Sequence, residues 1–189
     1  MTPHDTFDTD GFYLAKGLFS AEEVARLRDH AMALHATGDY VEPGAFDPLS
    51  DDPLKRFPRL MQPHRGDAMS REYLLEPRIG ATMREILGEE PVGVQTMIYY
   101  KPAGSRGQAL HQDQRYLHVE PGTCVAAWLA LDRCDEENGC LQVVPGSHRI
   151  GVLCPVKSDG ARSFTAETVD VPEGMSVVDV VMEPGDVLF

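Results

Sequence analysis

Apolar positions along the chain keep two different periods, and the change falls near Gly88. Upstream, Val24, Leu27, Ala31 and Leu34 recur at helical spacing. They follow Ser20, with Glu23 three positions on, which is the signature of a capping box. This pattern predicts a helix over residues 20–36, and "DGFYLAKGLFS" before it reads as a short strand and turn. A second helical stretch, "REYLLEPRIGATMREILG", carries Leu74, Leu75, Ile79, Met83, Ile86 and Leu87, with Gly88 as its stop. Pro77 should split it in two. Between them, residues 40–68 are rich in Pro, Asp and Arg and read as a long irregular loop, a lid or an entrance wall.

Downstream of Gly88 the period becomes that of strands. "VGVQTMIYYKP", "QALHQDQRYL", "TCVAAWLALDRC", "GCLQVVPG" and "MSVVDVVMEPGDVLF" are short, rich in β-formers and bounded by Gly, Pro and Asn-Gly turns. Helices followed by consecutive strands predict one α+β domain over residues 1–189, with a helical layer packed outside a jelly roll. The chain is long enough to bury a substantial core. Its last residues, "DVLF", read as an apolar strand whose partners lie further on, so the natural chain is expected to continue past Phe189.

Candidate chemistry sits in "ALHQDQRYLH". In a strand, positions i and i+2 share a face, so His111 and Asp113 would project together while Gln112 points away. An imidazole and a carboxylate side by side are two of the three groups of the facial triad that holds non-haem Fe(II). The spacing also fits a hydrogen-bonded surface pair. A competing H-x-E, His118 and Glu120, runs straight into Pro121-Gly122 and belongs at a strand end or turn. Arg115 would share the face of His111 and Asp113 and could hold an anionic substrate, or stand solvated; Arg106 is a weaker candidate.

Composition narrows the classes. A formal net charge of −13 repels nucleic acid and anionic membrane surfaces. No apolar run approaches a bilayer span, and "MTPHDTFDTDGF" has neither the basic nor the apolar region of a signal peptide. Cysteines 124, 134, 140 and 154 form no C-x-x-C pair and suit reduced thiols, so a cytoplasmic protein is expected.

Four segments together resemble the phytanoyl-CoA dioxygenase (PhyH) family of Fe(II)- and 2-oxoglutarate-dependent oxygenases. They are "DEENGCLQVVPGSHRIG" (135–151), "LHQD" upstream of "AAWLAL", "MEPGDVLF", and the opening "DGFYLAKGLFSAEEVARLR". The resemblance covers about residues 10–189 and implies a double-stranded β-helix with iron at one mouth. It implies that His111 and Asp113 are the first two iron ligands, and that Met97 and Trp128 line the 2-oxoglutarate pocket. Arg59 in "FPRLMQP" matches, more loosely, a basic residue touching that co-substrate. Met97 and Trp128 read equally as core residues. His148 in "VPGSH" is expected in a structural role, because the family's third ligand, and an arginine for the co-substrate's far carboxylate, follow the "GDVLF" strand. The implied partners are 2-oxoglutarate, O2 and a small-molecule substrate. The implied reaction is hydroxylation, since relatives that halogenate carry a small residue where Asp113 stands. A cupin-like metalloenzyme without 2-oxoglutarate and a non-catalytic small-molecule-binding jelly roll are the alternatives.

Overall fold

The chain opens with a helix that its apolar pattern does not announce. In the computed structural model, which describes residues 1–189, Pro3–Asp10 forms α1. Local chemistry accounts for it. Thr2 Oγ1 accepts the Asp5 amide at 3.1 Å, the Asp5 carboxylate takes the Thr2 amide at 3.0 Å, and Pro3 fills the first helical position. Gly11, at φ +81°, closes α1 in the left-handed region and donates its N–H to the Phe7 carbonyl. No α1 residue is buried, so hydrophobic periodicity carries no trace of it.

Strand β1 (Leu14–Ala15) leads to α2 (Ala21–Thr37), which lies where the capping box and apolar spacing place it. Segment 40–68 is more ordered than expected. It contains a one-turn helix, α3 (Pro53–Arg56), strand β2 (Leu60–Met61) and a 3-10 turn at Pro63–Arg65, and Leu60 is fully buried. Asp67 then caps α4 (Ala68–Leu74) by taking the Ser70 amide at 2.7 Å. Pro77 ends that helical stretch and opens α5 (Pro77–Leu87), and Gly88 closes α5 in the left-handed region.

The ladders that follow are antiparallel and short. Strand β3 (Met97–Ile98) pairs with β2, setting Leu60 opposite Ile98. Strands β4 (Trp128–Leu129), β5 (Leu141–Val143), β6 (Val156–Lys157), β7 (Glu167–Thr168), β8 (Val178–Val180) and β9 (Val187–Leu188) complete the set. They pair as β1–β9–β4, β5–β8 and β6–β7. Two strand expectations are corrected. Residues 108–117 form no strand; the chain turns after Leu110 into a short helix, α6 (Gln114–Leu117), because the Asp113 carbonyl accepts the Tyr116 and Leu117 amides. The terminal strand is not short of partners either. β9 is the centre of its sheet, with Leu188 opposite both Leu14 and Trp128.

The core is organised around that strand. Val187 and Phe189 face a cluster with Phe19, Val24, Met83 and Ile86, which fastens α2 and α5 to the sheet. Leu188 faces the other way, toward Ala130, Val180 and Met182, as strand alternation requires. Buried Asp186 fixes the approach to β9 by accepting the Gly17 amide at 2.7 Å and the Glu183 amide at 3.0 Å. The result is an α+β arrangement of small antiparallel sheets, and no helix is long and apolar enough to cross a membrane.

Candidate metal centre

The segment that carries His111 is held on both flanks. Gly107 exchanges backbone bonds with Arg162 and Phe164, and the Leu110 carbonyl accepts the Val169 amide at 3.0 Å and the Thr168 hydroxyl at 3.1 Å. Beyond His111, the Gln112 side chain points the other way and works as a strut. Its Nε2 donates to the Gly151 carbonyl at 3.2 Å and its Oε1 accepts the Leu153 amide at 2.8 Å. Asp113 then takes helical backbone angles at the start of α6.

Between these anchors His111 Nε2 and Asp113 Oδ1 meet at 3.1 Å, with the side chains 29% and 49% exposed. They converge across a turn from extended chain into helix, and not by the strand alternation the sequence suggested. Arg115 is displaced by the same turn. It lies on α6, where its guanidinium is 3.6 Å from Glu167 Oε2, so the shared strand face expected for it does not exist.

The imidazole's orientation is specified. Nδ1 lies 2.8 Å from the Ala109 carbonyl oxygen, which can only accept, so Nδ1 carries a proton and Nε2 is the nitrogen turned toward Asp113. The Asp113 carboxylate raises the imidazole pKa above its ordinary value; burial opposes this, and the Ala109 carbonyl adds to it. Gln108 Nε2 sits 3.3 Å from His111 Nε2, and the Tyr99 hydroxyl lies 3.3 Å from both Gln108 Oε1 and Met97 Sδ. Gln108 and Tyr99 escape the sequence reading, and Gln112 figures in it only as the residue that points away. Only the position of Gln108 three residues before His111, and of Gln112 between the pair, could have flagged them.

The other sequence candidates each have contacts of their own. Met97 reaches the pair only through Tyr99 and Gln108. Trp128 packs on the Leu188 side of the sheet. Arg59 lies 3.6 Å from Glu42 and over the Phe164 ring at 6.0 Å. Arg106 bonds Asp52 at 3.2 Å. His148 donates to the Asp8 carbonyl at 3.0 Å, at the end of α1. His118 closes α6 in the left-handed region, within the turn expected for it.

Donors placed about 2.1 Å from an octahedral ion in adjacent positions lie about 3.0 Å apart. The 3.1 Å separation of Nε2 and Oδ1 therefore fits two adjacent positions of such an ion. No third His, Cys, Asp or Glu joins them. A cavity of about 210 Å3 opens beside His111.

Short antiparallel ladders under a helical layer carry an imidazole–carboxylate pair, with a cavity beside His111. The backbone matches iron-bound EctD from S. alaskensis with a TM-score of 0.73 and 25% identity, over 99% of this chain and 68% of that one. It also matches the epimerase SnoN, solved with Fe3+ and alpha ketoglutarate, with a TM-score of 0.70 at 20% identity, over 98% and 71% of the two chains; this likeness speaks for the fold alone. The chain belongs to the phytanoyl-CoA dioxygenase (PhyH) family, whose sequence profile matches residues 7–189.

Curated relatives agree. The ectoine dioxygenase of Nocardia farcinica is 32% identical over 155 residues, covering 79% of this chain and 51% of that protein. The peroxisomal phytanoyl-CoA dioxygenase of Bos taurus is 26% identical over 200 residues, covering 97% and 58%. The chain spans from 32% to 64% of the length of the first curated relatives it matches.

Proposed function

We propose that this chain carries the metal-binding part of an Fe(II)- and 2-oxoglutarate-dependent dioxygenase that hydroxylates a small molecule. The observation that carries the reading is the pairing of His111 Nε2 with Asp113 Oδ1 at 3.1 Å while Nδ1 is engaged by the Ala109 carbonyl. That arrangement supplies one neutral nitrogen and one anionic oxygen at adjacent positions of a facial triad. When bound, ferrous iron with 2-oxoglutarate supplies oxidative decarboxylation coupled to insertion of oxygen into a C–H bond.

The chain's own residues do the rest. Ala109 sets the tautomer, and Gln112 fixes the backbone on which both ligands ride. Nε2 must release the proton that Asp113 favours before it can act as a ligand. Met97, Trp128 and Arg59 are proposed to bound the co-substrate, in keeping with the family resemblance; Met97 is the one joined to His111, through Tyr99 and Gln108. The carboxylate at position 113 leaves no small-residue gap for a halide, which favours hydroxylation.

Anaerobic titration with Fe(II), followed by succinate release from 2-oxoglutarate, tests the reading. His111→Ala and Asp113→Ala should each weaken Fe(II) binding by at least about a hundredfold. Wild-type binding no tighter than that of Asp113→Ala would overturn it, and a chlorinated product formed with chloride present would overturn the hydroxylase assignment.

A further inference from the structure

His111 Nε2 is approached from two sides, by Asp113 Oδ1 at 3.1 Å and by the Gln108 side-chain amide at 3.3 Å. A carboxylate only accepts, so Asp113 favours a proton on that nitrogen. An NH2 group only donates, so Gln108 favours a lone pair there, which is what a metal ion needs. Nδ1–H is committed to the Ala109 carbonyl, so the neutral ring carries its lone pair at Nε2 and the NH2 end of Gln108 faces it. Gln108 Oε1 then accepts the Tyr99 hydroxyl at 3.3 Å. Met97 Sδ lies equally close to that hydroxyl but is the weaker acceptor, so its one hydrogen goes to the amide. The result is a chain of donors running one way, from Tyr99 through Gln108 to His111.

Gln108 is fixed in its backbone and loose in its side chain. Gly107 donates to the Arg162 carbonyl at 3.0 Å and accepts the Phe164 amide at 2.9 Å, and the Ala109 amide donates to Ser163 Oγ at 3.1 Å. Both neighbours of Gln108 are therefore pinned to residues 162–164. The side chain itself is held by two contacts of 3.3 Å, longer than the usual hydrogen-bond range. A contact of that length is readily exchanged for a shorter bond to a charged oxygen. Its place suits the exchange: positions adjacent to Nε2 on an octahedral ion lie about 3.0 Å from that nitrogen, and Gln108 Nε2 stands 3.3 Å from it.

We propose that Gln108 is a metal-responsive donor for the co-substrate: in the metal-free chain its N–H rests on the His111 Nε2 lone pair, and once a metal ion takes that lone pair the N–H turns to an oxygen of 2-oxoglutarate. The inference deepens the proposed function and rests on it for the identity of the metal and the co-substrate. It gives Gln108 two effects of opposite sign. A hydrogen bond made only in the metal-free chain must be broken by the entering metal and weakens metal binding. One made only to the bound co-substrate strengthens co-substrate binding. The site is thereby ordered, since the donor is released to the co-substrate after the metal is in place. Tyr99 acts through Gln108, because its O–H keeps the amide oxygen turned away from His111 and the N–H turned toward it.

Gln108→Leu and Tyr99→Phe, singly and together in the full chain, test this, with circular dichroism to confirm folding. Fe(II) is titrated anaerobically in buffer basic enough that His111 is neutral, and 2-oxoglutarate is then titrated calorimetrically into the Fe(II)-loaded protein. Gln108→Leu should bind Fe(II) about threefold tighter than wild type and 2-oxoglutarate about tenfold more weakly. Tyr99→Phe should move both affinities in the same directions by less, and should add nothing in the Gln108→Leu background. Damaged packing would instead weaken both ligands together. Fe(II) binding no tighter in Gln108→Leu than in wild type, 2-oxoglutarate bound as tightly as by wild type, or Tyr99→Phe effects that add in full to those of Gln108→Leu would overturn the inference. Where Gln108→Leu does not fold, Tyr99→Phe decides by the same signs. Fe(II) bound as tightly by His111→Ala as by wild type would overturn the proposed function and this inference with it, whereas a His111-dependent Fe(II) site with the wrong signs would overturn the role of Gln108 alone.

Discussion

Gln112 points away from the His111–Asp113 pair, and its side chain holds the pair's backbone against residues 151–153 through both amide atoms. Removing it leaves a carbonyl and an amide without partners. Gln112→Ala should lower stability by about 1–2 kcal/mol in urea denaturation. It should also weaken Fe(II) binding by about tenfold, because outer partners set ligand orientation. A stability loss with unchanged Fe(II) affinity would make Gln112 a purely structural strut. At this scale the sequence displayed the ligand pair but gave the wrong reason for its convergence. Alternation in a strand and a turn into a helix both bring i and i+2 together. They differ for the next residue on, which is why Arg115 was placed on a face it does not occupy.

Among the elements, α2 and α5 were legible because caps and apolar spacing are local signals. Their mutual anchoring was not. Arg78, at the start of α5, bonds Glu23 of α2 at 2.7 Å and Glu76 at 2.7 Å, donates to the Leu18 carbonyl at 3.0 Å and stacks over Phe19 at 4.2 Å. The Arg78 guanidinium, with the Ser20 amide, holds the Glu23 carboxyl down at about 2 from its ordinary 4.5. A carboxylate with a depressed folded-state pKa binds protons more weakly in the folded than in the unfolded chain. Its stabilisation is therefore complete above pH 4.5 and lost as pH falls toward 2. Glu76 is lowered by the same arginine and adds in the same sense. Urea midpoints measured across that window should fall steeply for wild type and less steeply for Glu23→Gln; parallel curves would remove Glu23 from the account. α1 escapes the apolar pattern although Thr2, Pro3 and Asp5 spell its start, since its half-buried face carries one large apolar side chain, Phe7, beside Thr6 and Asp10 and so leaves no periodic imprint.

At the scale of the whole molecule, segment 40–68 decides between a mobile lid and a built-in wall. Leu60 within it is fully buried and pairs across to Ile98, and His35 of α2 accepts a role on the same segment by donating Nε2–H to the Arg56 carbonyl at 2.8 Å. Leu60→Ala should cost about 2–5 kcal/mol, the range for a core truncation that leaves a cavity. A cost under about 1 kcal/mol in the same denaturation measurement would mark the segment as a loosely attached lid.

By itself the sequence determined what near neighbours decide: the helix caps, the break at Pro77, the α+β order of elements, the His111–Asp113 spacing and the family. Only the tertiary structure decided that β9 is paired on both edges, that residues 111–117 leave the extended path, and that Gln108 stands between Tyr99 and His111. The physical reason is reach. A capping box is closed by groups three residues apart. The Leu110 carbonyl that anchors the site is met by a hydroxyl 58 positions away, and no local pattern encodes which distant segment will arrive there.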